Sequence, residues 1–443
     1  MNLFGTDGIR GVYGATLTKE TAYALGAGLV KLGGEIIVTG CDTRVSGGEL
    51  TAALTKGVND YGGQTINLGV TPTNAVAYFT RISGAGYGVM ISASHNPPEY
   101  NGLKVFDKYG IKICEKVQVE LSEFIDGFNV VLPTEIPVAQ VYDGGEDAYA
   151  KYVLKAVDAN LDGLKVALDC CYGSAYKVAK RVFAECGAKV VAYCDFNRGD
   201  KINVGCGATK TDFLLSQMKD NGCDIGFAFD GDADRLAVVA DGKAVEADRI
   251  FYAFCKYFKQ SNRLLGLTAV GTIMTNGGLS NALKKSGIQL LRTDVGDSKI
   301  YEAMTKKGCN VGGENSGHYL LSDFATGSDA IINALLVSKI VVEKGDIFDY
   351  TAEYVPFESI TENFVCTDAQ KQEFLQNNTL GNIIAIFNQK YPLLRIVLRF
   401  SGTEPKIRCF IEGKTQSAVK NGFLFAKKQI QNALNDILSG NDT

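Results

Sequence analysis

Three times along this chain an apolar, strand-like run ends in a short loop carrying Asp or Asn beside Gly and passes straight into a helical pattern: after Val38, after Leu168 and after Ile273. A strand that feeds a helix through such a loop is half of a βα unit. Its recurrence confines the chain to wound, largely parallel α/β sheets. The first unit predicts a helix from about Thr18 to Leu32, a strand Ile36 to Val38, the loop Gly40 to Gly47, a helix Leu50 to Tyr61 and a strand Thr65 to Leu68. The second predicts strands Lys165 to Leu168 and Val190 to Tyr193, and the third an apolar run Leu267 to Ile273 entering Met274-Thr275-Asn276-Gly277-Gly278. At roughly 100 to 140 residues each, the units have the usual size of a domain and read as a threefold structural repeat. From about Asp349 the pattern changes to strand-like Arg395 to Phe400 and Ile407 to Glu412 around a polar loop, then a long helix from about Ser417 to Leu438. The expected organisation is therefore four domains, 1-145, 146-244, 245-348 and 349-443, the last of α+β type.

Composition excludes several functions. Basic and acidic residues nearly balance, 45 against 49, and no block of like charge stands out, so nucleic acid or an anionic membrane is not the expected partner. Any anion must be bound locally. The 12 cysteines show no CxxC pair and no regular framework. A chain of this length with no secretory leader and no membrane-spanning apolar run reads as a cytoplasmic protein with reduced thiols.

Chemistry concentrates in a few stretches. Val89 to Ile91 is strand-like and ends abruptly in Ser92-Ala93-Ser94-His95-Asn96-Pro97-Pro98. Proline fixes its own φ and extends the residue before it, so the turn is stiff and Ser94 is held in place at the carboxyl end of a strand, where α/β sheets bind ligands. Lys104, shortly beyond, lies close enough in sequence to share that cleft. Asp230-Gly231-Asp232-Ala233-Asp234-Arg235 alternates three carboxylates between apolar runs, and residues two apart in an extended loop face the same way. With Arg235 where an EF-hand loop needs glycine, the trio suits a Mg²⁺ ion sharing waters and phosphate oxygens. Gly312-Gly313-Glu314-Asn315-Ser316-Gly317-His318 mixes acceptors and donors as sugar hydroxyls demand, and His318 could move a proton near neutral pH. Arg399 to Arg408 brackets Ser401, Gly402 and Thr403 with two guanidiniums, and Arg10 sits among glycines in Gly5 to Gly11; both suit phosphate. A nucleophile, a metal trio, a hydroxyl-reading loop and a phosphate-gripping loop, one to a domain, point to phosphoryl transfer in one central cleft.

These motifs, in this order, resemble the α-D-phosphohexomutase superfamily over essentially the whole length. Within it Ile91 to Ser94, Asn203 to Thr209 and Asn315 lean toward the glucosamine-type members. The resemblance implies a four-domain architecture, three similar α/β domains with mixed sheets plus a C-terminal α+β domain around a central cleft. It implies that Ser94 becomes a phosphoserine, primed by a hexose 1,6-bisphosphate or by autophosphorylation. It implies that this group, with Asp230, Asp232 and Asp234, binds one Mg²⁺ per chain, and that Arg235 supports the metal loop. Arg10, His95, Lys104 and His318 would serve catalysis, Glu314 and Ser316 would read the sugar, and Arg399, Ser401, Gly402, Thr403 and Arg408 would hold the distal phosphate. The implied reaction interconverts glucosamine 6-phosphate and glucosamine 1-phosphate, with glucose or mannose phosphates as the alternative, in a monomer or homodimer. The chain departs from the glucosamine-type pattern at Ser298-Lys299, Cys171-Tyr172, Lys210 and Phe400.

Overall fold

The computed structural model describes residues 3–5, 7–400 and 406–440, with side chains through 435. The first sheet has five strands in the order Ile9–Val12, Tyr100–Asp107, Tyr87–Ile91, Ile36–Cys41, Gln64–Val70. The second runs Lys243–Val245, Leu236–Ala240, Ile225–Phe229, Lys165–Asp169, Lys189–Tyr193, and the third Gln289–Thr293, Thr268–Thr272, Val311–Gly313, Tyr319–Leu321.

Stripped of edge strands, the three have one topology. A central strand, Ile36–Cys41, Lys165–Asp169 or Thr268–Thr272, lies parallel to the strand that follows it and parallel, on its other side, to a third. The third strand then returns through a hairpin to an antiparallel fourth. The repeat expected from the sequence is present. The sheets are mixed, as the family resemblance implies, and the largely parallel arrangement expected from βα alternation alone stops at the third strand. The reason is local: a connection of a few residues can join antiparallel neighbours, whereas a parallel step needs a crossover.

Some helices begin where a polar side chain takes their orphan amides. Asp329 accepts from the amides of Ile331 and Ile332 at 3.1 Å to open Ala330–Lys344, and Asn276 accepts from Gly278 at 2.8 Å to open Gly277–Lys285. The helix expected from Leu50 starts earlier, at Gly47, because Gly47 and Gly48 occupy its first turn.

The C-terminal unit is different. Its three strands, in the order Glu358–Val365, Lys406–Gly413, Arg395–Phe400, are all antiparallel and carry the helix Gln416–Gly440. Residues of all three α/β units, Val76, Phe183 and Leu335 among them, belong to one continuous apolar cluster, whereas Phe374, Phe387, Ile407 and Ile430 of the last unit form their own. The last unit docks through polar contacts instead: Glu412 accepts from the amide of Gly277 at 3.0 Å and from Arg395 at 2.6 Å, while Arg395 also donates to the carbonyl of Thr275 at 2.8 Å. Among the described residues no helix is long and apolar enough to cross a membrane.

Candidate active site

The hairpin between the third and fourth strands carries the residues singled out from the sequence in each α/β unit: Ser94 in the first, Asp230 to Asp234 in the second, Glu314 to His318 in the third. In the first two units the loops after the central strands hold these hairpins, through Arg44 to the carbonyl of Ser94 at 2.9 Å and the amide of Ser174 to the carbonyl of Gly231 at 2.8 Å.

Ser94 is fully buried, with φ at +54°, and its Oγ donates to Asp230 Oδ2 at 2.6 Å. Its amide donates to Ser92 Oγ at 2.8 Å, and Ser92 Oγ donates in turn to Asp42 Oδ2 at 2.6 Å. The turn is stapled by Arg44, a residue of the loop Gly40 to Gly47 whose role the sequence does not declare. Its guanidinium, 2% exposed, pairs with Asp42 at 3.0 Å and donates to the carbonyls of Ser94 at 2.9 Å, Asn96 at 2.8 Å, Tyr100 at 2.9 Å and Pro97. A second tie comes from the neighbouring unit, where Asn203 Nδ2 donates to Ser94 O at 2.9 Å and Asn96 O at 3.1 Å. Gly231 is glycine for a reason of contact: a Cβ there would lie 2.6 Å from Ser94 O.

The three carboxylates converge as expected, each offering an oxygen within 4.8 Å of the others, all buried. Burial, with the charges of Asp234 and Asp232, pushes Asp230 up to about 7. Asp234 goes the other way: burial alone would raise it, and Lys104 and His318 hold it well below the ordinary carboxylate range. Lys104, itself 1% exposed, reaches Asp232 and Asp234 at 2.6 Å each and Asp7 at 3.2 Å, so its ammonium lies within the trio and stays charged despite its burial. Thr73 donates to Asp232 Oδ2 at 2.5 Å, while Asp232 Oδ1 is buried with no hydrogen-bond partner. Three close carboxylates with an unfilled inward oxygen and one raised into the neutral range fit a hard divalent cation. Arg235 stands 3.8 Å from Asp230.

The two histidines meet opposite fields. His95 Nδ1 lies 3.4 Å from Ser94 Oγ, and burial, Arg235 and Arg10 push its ring down to about 3. His318 lies between Asp234 Oδ1 at 2.9 Å and Glu314 Oε2 at 3.4 Å, and although burial opposes it these partners lift it to about 10. Glu314, held down to about 2 against its burial by His318, accepts from Ser316 Oγ at 3.2 Å and from the amide of Gly296 at 2.8 Å. Arg10 pairs with Asp7 rather than with the serine, and Asp7 in turn binds Lys112, which reaches Asp297 of the third unit at 2.7 Å. Asp7, Lys112 and Thr73 were not singled out from the sequence, because each sits alone there and acquires partners only across unit boundaries. A cavity of about 990 Å³ between the first and third units is lined by Lys112, Asp234, Asp297, Ser298 and Lys299.

Arg399 and Arg408 face each other across the antiparallel ladder of the last unit and line a cavity of about 270 Å³ with Thr361 and Asn363. Burial and the neighbouring Arg408 push the Arg399 guanidinium down, as expected of two cations gathered where an anion would sit. Ser401, Gly402 and Thr403 lie outside the described residues.

Four family models match in order: the phosphoglucomutase/phosphomannomutase alpha/beta/alpha domain I over residues 1–128, domain II over 147–243, domain III over 246–356 and the C-terminal domain over 362–423. Phosphoglucosamine mutase of Thermotoga sp. (strain RQ2) is 42% identical over 95% of this chain and 97% of its own, and that of Clostridium acetobutylicum 39% identical over 94% and 95%. Among solved structures, a phosphoglucomutase/phosphomannomutase family protein from Burkholderia thailandensis superposes with a TM-score of 0.81 at 22% identity, covering 98% of this chain and 97% of that one. The Aspergillus fumigatus N-acetylphosphoglucosamine mutase, solved with GlcNAc-6P and magnesium, gives 0.67 at 17% identity over 97% and 96%. With every unit matched in sequence order, and the loops of Ser94, Asp230 to Asp234 and Glu314 to His318 in mutual contact, this chain belongs to the phosphoglucomutase/phosphomannomutase family, the α-D-phosphohexomutases.

Proposed function

We propose that this protein is a phosphoglucosamine mutase, interconverting glucosamine 6-phosphate and glucosamine 1-phosphate through a phosphoserine at Ser94 and a 1,6-bisphosphate. The observation that carries the reading is the 2.6 Å contact from Ser94 Oγ to Asp230, which puts a rigidly held hydroxyl on a buried carboxylate trio. The 42% identity to a phosphoglucosamine mutase supports the choice of sugar.

The cycle starts with Ser94 phosphorylated, by a hexose 1,6-bisphosphate or by the enzyme itself. Its phosphoryl group passes to the free hydroxyl of glucosamine 6-phosphate; the bisphosphate turns end for end in the cleft and returns its other phosphoryl group to Ser94. Splitting the exchange over a covalent intermediate replaces one difficult step by two easier ones. Asp230, Asp232 and Asp234 would hold Mg²⁺ beside the serine phosphate, where it supplies neutralisation of charge on the group in transit. Lys104 and Arg235 set the charge of the trio, and Arg10 acts on it through Asp7. His95, kept neutral, hydrogen-bonds Ser94 Oγ. His318 serves as a fixed imidazolium rather than a neutral-pH shuttle, orienting Glu314, which with Ser316 reads the sugar hydroxyls. Arg399 and Arg408, with Ser401, Gly402 and Thr403, grip the phosphate at the far end.

Turnover of glucosamine, glucose and mannose 6-phosphates with Mg²⁺ and a bisphosphate primer tests this. Glucosamine phosphate is expected to be turned over fastest. A glucosamine rate well below the other two reassigns the enzyme to glucose or mannose phosphates; free phosphate released as fast as sugar is isomerised makes it a phosphatase; no turnover leaves a sugar-phosphate binding protein.

A further inference from the structure

Behind the serine turn, the second unit holds a cluster that the proposed cycle does not use. Asp169 ends the strand Lys165–Asp169, and Cys194 follows its parallel neighbour Lys189–Tyr193, in register with Asp169 opposite Tyr193. Two parallel strands ending together therefore deliver a carboxylate and a thiol to one spot. The loop from Asn203 to Gly207 folds over them: Gly207 donates its amide to Asp169 Oδ2 at 2.6 Å, and Asn203 donates its own to Cys171 O at 3.1 Å. That loop brings Cys206, 2% exposed, so that a carboxylate oxygen and the sulfurs of Cys194 and Cys206 all lie within 4.8 Å of one another.

The two thiols are not equivalent. Cys194 is half-buried and its sulfur receives hydrogen bonds from Cys206 and Tyr172, which pull its thiol below the ordinary range, while the same bond and burial push Cys206 far up. A lowered thiol on the more accessible sulfur beside a raised, buried one is how an attacking and a resolving thiol are arranged. Burial lifts Asp169 to about 6, so this carboxylate can exchange a proton with the pair near neutral pH. Cys41, Cys170, Cys255 and Cys409, by contrast, are buried and pushed up, as inert core thiols are.

We propose that Cys194 and Cys206 form an oxidisable dithiol that hydrogen peroxide closes to a disulfide, and that the closed form loosens the Ser94 turn through Asn203. Cys194 gives its proton to Asp169, with which it is hydrogen-bonded, and its sulfur attacks one peroxide oxygen; the O–O bond breaks, and the departing hydroxide takes that proton back from Asp169 to leave as water. Cys206 gives its proton to Asp169, and its sulfur attacks the resulting sulfenic acid at Cys194. The hydroxide expelled takes the proton from Asp169. Two thiols are oxidised by two electrons, and one peroxide is reduced to two waters. Closing the bond to about 2.05 Å draws Cys206 toward Cys194. Asn203, three residues earlier, is the amide that donates to the carbonyls of Ser94 and Asn96. This last consequence rests on the mutase reading; the chemistry at sulfur does not.

The full-length reduced protein, treated with hydrogen peroxide, is digested without reductant and its linked peptides are identified by mass spectrometry, with thiol counts and mutase turnover measured on the same samples. A peptide linking Cys194 to Cys206 is expected, with loss of two thiols per chain. Turnover should fall roughly tenfold, less than the roughly hundredfold that a full displacement of about 1 Å can cost, and return with dithiothreitol. Cys194→Ser should fold, turn over normally and keep its turnover in peroxide. No linked peptide, or equal peroxide sensitivity in Cys194→Ser, overturns the proposal. So does one equivalent of Zn²⁺ retained by the reduced protein with both thiols protected, which makes the cluster a metal site. A linked peptide in a protein without mutase turnover sustains the dithiol and sinks the mutase reading instead.

Discussion

The serine turn and the Glu314 to His318 loop occupy the same hairpin of the first and third units and each contains one of the chain's two histidines, yet they are held by opposite means. The serine turn is fastened by its carbonyls: Arg44 and Asn203 donate to four of them, and His95 beside Ser94 is pushed down to about 3 and stays neutral. The other loop is fastened by charge, with His318 lifted to about 10 between Asp234 and Glu314. A repeated hairpin thus supplies only a position. What it does there is set by the charges that neighbouring units bring against it. The turn proposed to carry the nucleophile is anchored through backbone, and the loop proposed to read the sugar is anchored through an ion pair.

Removing the proposed nucleophile separates position from chemistry most sharply. Ser94→Ala keeps every carbonyl that Arg44 grips and is expected to unfold at the parent temperature while losing roughly 10⁴-fold or more in turnover. Retained isomerisation at the parental rate would show that the turn is an ordinary corner. Arg44→Met is expected to damage both properties. It strands Asp42, already pushed up by burial, as an uncompensated charge, at a cost of about 3–5 kcal/mol in urea unfolding, with turnover down roughly a hundredfold. If stability fell and turnover held, the staple would serve folding alone.

The charged loop gives a different signature. In His318→Gln, stability measured with chelator present should fall by about 2–3 kcal/mol at neutral pH, and turnover measured with Mg²⁺ should fall roughly tenfold. The folded value of about 10 stands above the ordinary histidine value near 6.5, so the stabilisation is complete below about pH 6.5 and is lost as pH climbs through about 10. Unfolding midpoints of parent and variant should therefore converge in strong base. A gap that persists unchanged above pH 10 would mean that the ring is held by packing and not by its charge.

Much of this site is legible in the chain because its chemistry is local. Ser94, the Asp230 to Asp234 alternation, Glu314, Ser316 and His318 each sit in a hairpin of a few residues, where types and spacing declare the surroundings. Arg44 is different. It is 50 residues from Ser94, and its value lies in crossing from the first central strand to the turn beside it, which no spacing rule reports. Asp7, Lys112 and Thr73 are hidden for the same reason, their partners being 105, 185 and 159 residues away. The fold shows the same division. Strand-to-helix loops after Val38, Leu168 and Ile273 announce the repeat, but the antiparallel return is nearly silent in the third unit, whose strands Val311–Gly313 and Tyr319–Leu321 have 3 residues each.

The smallest predicted effect asks whether the second unit contributes to holding the serine at all. Asn203 sits at φ +61°, a conformation glycine adopts without strain, so Asn203→Gly deletes the amide and spares the backbone. Arg44 still grips the carbonyls of Ser94 and Asn96, and Asn203 is only half-buried, so the loss of stability should stay below about 1 kcal/mol. Turnover should nevertheless fall a few-fold, roughly three to ten, because the two ties approach the same carbonyls from different units and only together fix the turn against the carboxylate trio. Parental turnover in this variant would leave Arg44 as the sole anchor, and the serine turn would then be positioned from within its own unit.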